Sequence, residues 1–333
     1  SLALPLLHLA SRDVPGWEWQ KLETLSTDDP GETAVRLAEM QPDLVCASLY
    51  LFNRRHVTDI LDRLHALSPD CRVLVGGPEC LGNQAGEIVR SCEAIDGAVS
   101  GEGESVLPEL LRRLAAGNFP EPVTLPIPGV TVRCRNQQNV VLCCGKHAPR
   151  YRHWADAPAP PESEFFAVDK PFVQMETSRG CRQGCRYCTS FATPVRYKQL
   201  TRIAEELQLL AGKGVQEIRL LDRTFNAPPE RAAELLRLFK DKFPNLRFHL
   251  EIHPQFLSDE LKWELQHALP GQLHLEVGIQ SLDDTVQKAI GRACPVQDAL
   301  AGLQFLCACP AFEVHADLLA GLDGFELRFK GPF

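Results

Sequence analysis

The 333-residue sequence has no apolar run long enough to cross a bilayer. Its longest, such as residues 2–10, is short and interrupted. It also lacks a charged n-region followed by an apolar h-region and a cleavage site, so the expected location is cytoplasmic, with no membrane partner. Positive charge is in deficit: 35 Lys and Arg face 43 Asp and Glu, a net charge of -8. That balance argues against a protein built to grip a phosphate backbone, and nucleic acid is not the expected partner. An even, dense cysteine framework is missing too. Thirteen cysteines, an odd number in a chain of ordinary size, exclude a small secreted disulfide scaffold. What remains is a globular composition, 44% hydrophobic and 23% charged, at a length that suggests about two domains.

Residues 1–117 alternate between apolar strands and helical periodicity. Strands are predicted over 43–49, 71–75 and 94–99, and helices over 54–67, 84–92 and 105–115. In the first helix Val57, Ile60, Leu61 and Leu64 share one face. Such alternation implies an α/β fold with a doubly wound parallel sheet, whose ligands sit beyond the carboxyl ends of the strands. The turns there are Leu49–Asn53, Gly76-Gly77-Pro78-Glu79 and Gly101-Glu102-Gly103-Glu104. Residues 118–170 are dense in proline and read as a linker with a short hairpin, 130–133 against 139–142. From residue 171 the alternation resumes. Strands are predicted over 172–177, 216–221, 246–252, 273–279 and 312–319, with helices over 200–212, 230–243, 259–267, 284–290 and 296–307. Five strand–helix repeats suggest a partial (β/α) barrel over 171–333, with functional residues at the carboxyl ends of its strands. The sequence reads as short at both ends, with no strand before the first and none after the fifth barrel strand.

Directly after the strand at 172–177 stand Cys181, Cys185 and Cys188, a C-x3-C-x2-C run. Three thiolates cannot complete a four-ligand iron–sulfur cluster. A [4Fe-4S] cluster held this way keeps one iron open to a small molecule, as S-adenosylmethionine (SAM) chemistry requires. Three close cysteines and one distant one also suit a tetrahedral zinc ion, which remains an alternative. Cys46, Cys71, Cys80 and Cys92 lie in or beside apolar elements and read as buried thiols. Cys143, Cys144, Cys294, Cys307 and Cys309 show no complete ligand spacing.

The cysteine loop, with Tyr187 inside it, resembles the cluster motif of the radical SAM superfamily. The preceding unit resembles the Rossmann-like cobalamin-binding domain of that superfamily's cobalamin-dependent branch. The segments 76–79, 101–104, 222–226, 276–281 and 317–322 are similar to the branch's recurring turns, in the same order. The resemblance implies a radical SAM core, a partial (β/α)6 barrel, that cleaves SAM to a 5′-deoxyadenosyl radical. It also implies bound cobalamin, C-methyl transfer, and a flavodoxin- or ferredoxin-type electron donor.

By resemblance, Tyr187 presents backbone to the adenine, and Asp222, Arg223 and Thr224 meet the methionine amino group. Glu251 meets the ribose; Gln280 and Ser281 meet the ribose or carboxylate. Arg292 pairs with the SAM carboxylate, while Ala320, Gly321 and Leu322 line the adenine. Gly76, Gly77, Gly101 and Gly103 flank the corrin. Each has a plainer reading. Asp222 and Glu251 also suit salt-bridged carboxylates, and Arg292 a solvated helix end. The glycines equally suit tight strand–helix turns. His249, His253, His274 and His315 suit packing at least as well as metal ligation and stay outside the set. No Asp-x-His-x-x-Gly run, the loop that ligates cobalt in many cobalamin proteins, is present. A radical SAM enzyme with a non-cobalamin first domain, or an inactive fragment, are the competing readings. No residue names the substrate.

Overall fold

A computed structural model describes residues 2–117, 127–134, 140–144, 147–190, 193–292 and 295–322. The chain divides into two compact units, one over 3–166 and one from residue 167 onward.

The first unit opens with helices α1 (Ala3–Ser11) and α2 (Pro30–Glu39). Neither is among the elements that the sequence predicts, although Asp29 caps α2 by accepting from the Glu32 amide and Pro30 takes its first position. Then follow β1 (Leu44–Ser48), α3 (Arg54–Leu67), β2 (Arg72–Gly76), α4 (Gln84–Ser91), β3 (Gly97–Val99) and α5 (Leu107–Ala115). The last strands are β4 (Val130–Cys134) and β5 (Val140–Cys144). The sheet order is β1-β2-β3-β4-β5. β1 to β3 are parallel, while β4 and β5 join antiparallel.

Two expectations change here. The parallel strands run in chain order, without the reversal that a doubly wound sheet makes at its switch point. The edge beyond β3 is taken by the hairpin, which is therefore part of the sheet and not of a linker. Arg133 ties it in. This guanidinium, 6% exposed, donates to the carbonyls of Ile95, Val89 and Cys92 at the end of α4. Both faces are still covered. Leu61 of α3 and Ile88 and Val89 of α4 bury Val73 and Val75 on one side. Leu110 of α5 buries Leu74 with Val130 and Val132 on the other. Cys71, Cys80 and Cys92 are buried as expected, and desolvation pushes their thiols up to about 11, 12 and 12. Cys46, on the edge strand β1, is exposed instead.

In the second unit β6 (Val173–Met175), β9 (Glu217–Leu220), β10 (Arg247–Ile252), β11 (Leu273–Gln280) and β12 (Glu313–Leu318) pair in parallel, in chain order. An antiparallel pair, β7 (Ser178–Cys181) and β8 (Thr193–Tyr197), intervenes after β6. The helices are α6 (Leu200–Gly212), α7 (Pro229–Lys242), α8 (Asp259–Gln266), α9 (Asp284–Ala289) and α10 (Val296–Cys307). In β10 and β11 buried and half-buried residues alternate strictly. A parallel sheet covered on both faces reads as a continuous apolar run. Alternation means that helices cover one face, through Phe248, Leu250, Leu275 and Val277, while the other stays polar. Phe239 of α7 stacks on Phe248 with ring centroids 3.8 Å apart. Among the described residues no helix is long and apolar enough to cross a membrane.

Candidate functional site

The cysteine segment is more constrained than a free loop. Cys181 ends β7, level with Thr193 of β8. The Gln183 amide donates to its sulfur at 3.4 Å, and the Ser190 amide donates to that of Cys188 at 3.4 Å. The Arg186 amide donates to the Ile290 carbonyl at 2.9 Å. Gly291 presses on the same segment, since a Cβ there would stand 2.2 Å from the Gly184 carbonyl oxygen. The turn after α9 thus props the cysteines from behind. Burial raises the Cys185 thiol, against the Arg292 charge and a hydrogen bond from Tyr187. Burial and the neighbouring Cys185 push Tyr187 up to about 12.

Asp222 to Thr224 follow β9 and reach this segment. Thr224 Oγ1 lies 3.8 Å from the Cys181 sulfur, and Arg223 is exposed beside it. Asp222 faces inward. It has the parity of Ile218 and Leu220, the buried face of its strand, and is 2% exposed. Its carboxylate accepts from the amides of Thr177 at 2.7 Å and Ser178 at 3.0 Å, and from the Thr177 hydroxyl. Burial raises its pKa while these donors oppose the rise. Asp222 therefore fixes the path from β6 into β7. Arg231 finishes the anchor, donating to the Lys198 and Thr177 carbonyls at 2.7 and 3.3 Å.

On the polar face, Glu251 of β10 is level with Glu276 of β11, and Glu276 with His315 of β12. Burial raises Glu251, with the Glu276 charge adding and Arg223 opposing. Burial and Glu276 likewise raise Asp317. His249 Nε2 lies 2.8 Å from Glu276, and its ring meets His274 edge-on at 4.7 Å. These histidines act as hydrogen-bonding and packing residues. Gln280 sits at the β11 end with φ +70°, beyond a bulge, and its amide folds back over Gly278. Ser281 is 2% exposed and its hydroxyl accepts from the Asp283 amide, so it caps a turn. Gln287, which the sequence did not single out, clamps that turn through the Ile279 and Ser281 carbonyls at 2.7 Å each. Ala320, Gly321 and Leu322 follow β12, and Gly321 faces open space.

The glycine turns of the first unit are occupied by the chain itself. A Cβ on Gly77, at φ +98°, would stand 2.7 Å from the Leu49 carbonyl oxygen. At Gly101 it would meet Ala148, and at Gly103 the side chain of Leu7, so close packing explains these three. Gly76 makes only ordinary contact with Val99. Leu51 and Phe52, past the end of β1, are 85% and 79% exposed. Cys294 lies outside the described residues.

Among the described residues no group of three or more His, Cys, Asp or Glu side chains converges as one metal ion would require. Cys181, Cys185 and Cys188 stand together on one short segment, from the end of β7 toward β8.

The radical SAM superfamily model matches residues 175–324. A curated relative, the 2-(S-pantetheinyl)-carbapenam-3-carboxylate methyltransferase of Streptantibioticus cattleyicolor, is 24% identical over 93% of this chain and 46% of its own. The hopanoid C-3 methylase of Methylococcus capsulatus is 27% identical over 59% of this chain and 38% of its own. The chain thus spans about half the length of such relatives, or less. Among solved structures, the radical SAM methyltransferase TsrM of Kitasatospora setae, with tryptophan and a SAM analogue bound, superposes with a TM-score of 0.73 at 19% identity. That match covers 96% of this chain and 65% of TsrM. The cobalamin-dependent SAM radical enzyme OxsB, with aqua-cobalamin and SAM bound, gives 0.72 at 16% identity over 97% of this chain and 48% of OxsB. Cys181, Cys185 and Cys188 thus lie within the region, residues 175–324, that matches the radical SAM superfamily.

Proposed function

We propose that this chain is the cobalamin-binding and radical SAM portion of a C-methyltransferase. The first unit is read as the cobalamin-binding domain and the second as a partial barrel. The observation that carries the proposal is the three-cysteine segment, anchored at the carboxyl end of β6 beside Thr224 and supported by Ile290 and Gly291. When bound, the cluster and SAM supply one-electron cleavage to a 5′-deoxyadenosyl radical, and cobalamin supplies a methyl group.

The protein's own part is to hold and orient. Cys181, Cys185 and Cys188 would hold the cluster. Asp222 and Arg231 fix the strand ends that carry them. Glu251 and Gln280 border the polar face where the nucleoside would lie. The exposed Leu51 and Phe52 offer apolar surface at the end of β1, where a corrin would rest. The reductant is a flavodoxin- or ferredoxin-type protein.

A radical SAM enzyme whose first unit holds no corrin is the second reading. It is favoured by the filled space at Gly77, Gly101 and Gly103. Anaerobic reconstitution with iron, sulfide and hydroxocobalamin, followed by spectra and a 5′-deoxyadenosine assay, tests both. Cluster absorption, corrin retention and 5′-deoxyadenosine formation are the expected results. Cluster and 5′-deoxyadenosine without corrin select the second reading. The same signals after Cys181, Cys185 and Cys188 are all changed to Ala would refute both.

A further inference from the structure

Among the described residues, two buried polar side chains of the second unit lack a hydrogen-bonded protein partner. His253 is 6% exposed, and neither ring nitrogen has a partner. Arg292 is 7% exposed, and among the described residues its guanidinium forms no hydrogen bond or ion pair. Asp96, Arg133, Lys198, Glu206, Asp222 and Glu264 are buried to a similar degree, and each has such a partner.

The register brings the two together. Ile252 of β10 is level with Val277 of β11, so the next residues, His253 and Gly278, are neighbours on the polar face. A Cβ on Gly278 would stand 3.5 Å from Arg292 Nη1. The guanidinium thus lies over β11 at the level of His253. The same charge bears on Cys185. The imidazole is held firmly. It stacks on Phe256 at 4.5 Å, and the buried Asn226 side chain clamps its backbone amide and carbonyl at 2.8 Å each. Burial, with Arg292 adding, lowers its pKa to about 3, so the ring is neutral and offers one N–H donor and one acceptor.

A buried guanidinium without an anion is costly, and so is an imidazole without a partner. A carboxylate satisfies both, one oxygen on the guanidinium and one on the imidazole N–H. We propose that His253 contacts ligand directly, completing with Arg292 a receptor for the carboxylate at the amino-acid end of SAM. This rests on the SAM reading above.

The test is the dissociation constant of SAM and of decarboxylated SAM for the reconstituted wild type, His253→Phe and His253→Gln, with iron content measured in parallel. His253→Phe keeps the stack on Phe256 and removes the donor. The expected result is SAM binding weakened about tenfold at unchanged iron content, with decarboxylated SAM unaffected. Equal weakening of both ligands, or of neither, overturns the proposal. Should His253→Phe lose iron, the same comparison with His253→Gln decides: a change in its ratio of SAM to analogue affinity supports the proposal, and an unchanged ratio overturns it. Wild type that binds SAM as weakly as its analogue also overturns it. Wild type that binds no SAM overturns the proposed function as well.

Discussion

Asp222 separates two accounts of the same motif, and a pair of substitutions distinguishes them. In the structure its carboxylate holds the Thr177 and Ser178 amides and the Thr177 hydroxyl, with 2% of the residue exposed. Asp222→Ala strands three buried polar groups. Each costs about 1–3 kcal/mol when left unsatisfied, so a loss of about 4 kcal/mol is expected. Asp222→Asn keeps an oxygen for both amides and turns an N–H toward the Thr177 hydroxyl, which can rotate to accept. Only charge assistance is lost, and stability should stay within about 1 kcal/mol of wild type. Urea unfolding of each variant, with bound iron measured after reconstitution, reads both effects. Positioning predicts that Ala loses stability and iron while Asn keeps both, along with SAM affinity. A direct contact with the SAM ammonium predicts the reverse emphasis, an Asn variant that folds and holds iron but binds SAM poorly. That second pattern, or an Ala variant as stable as wild type, would refute the reasoning.

The neutral His253 gives a pH signature. Its folded pKa of about 3 lies below the usual 6.5, so the unfolded chain binds the extra proton between those values. Stability should fall as pH drops from about 6.5 toward 3, and His253→Phe should flatten that slope by at most about 1.4 kcal/mol per pH unit, measured by urea titration. Gly291→Ala would drive a Cβ to 2.2 Å from the Gly184 carbonyl, at φ +79°. It should lower retained iron, whereas Gly214→Ala, at φ +81° with nothing within 4 Å, should cost only about 1 kcal/mol and no iron. Equal iron in the two variants would remove the prop from the cysteine segment. Arg133→Met leaves the Ile95, Val89 and Cys92 carbonyls without their donor. A loss of about 3 kcal/mol in urea is expected; an unchanged midpoint would show that the hairpin is held by its strand pairing alone.

Period and spacing determined much of this protein. The helices at 54–67, 200–212 and 296–307 coincide with their apolar periodicity, and the five parallel strands of the second unit lie where apolar runs predicted them. The C-x3-C-x2-C run marked Cys181, Cys185 and Cys188 as candidate cluster ligands, because ligand spacing along one short segment is a local property. Asp29 and Pro30 are local signals of the same kind at the start of α2, a helix that was not among the predicted elements.

The tertiary structure decided what depends on partners far along the chain. Asp222 and Arg223 are adjacent, yet strand parity buries one under Thr177 and exposes the other. Ser281 and Gln287 became turn fixtures only once α9 folded against the β11 end. The hairpin at 130–144 joined the first sheet because β3 offered an open edge and Arg133 found carbonyls some forty residues away. His253 read as an ordinary packing histidine until burial left both its nitrogens unpartnered at the level of Arg292. Sequence periodicity reports which face of an element is buried, but not which polar group on that face has a partner.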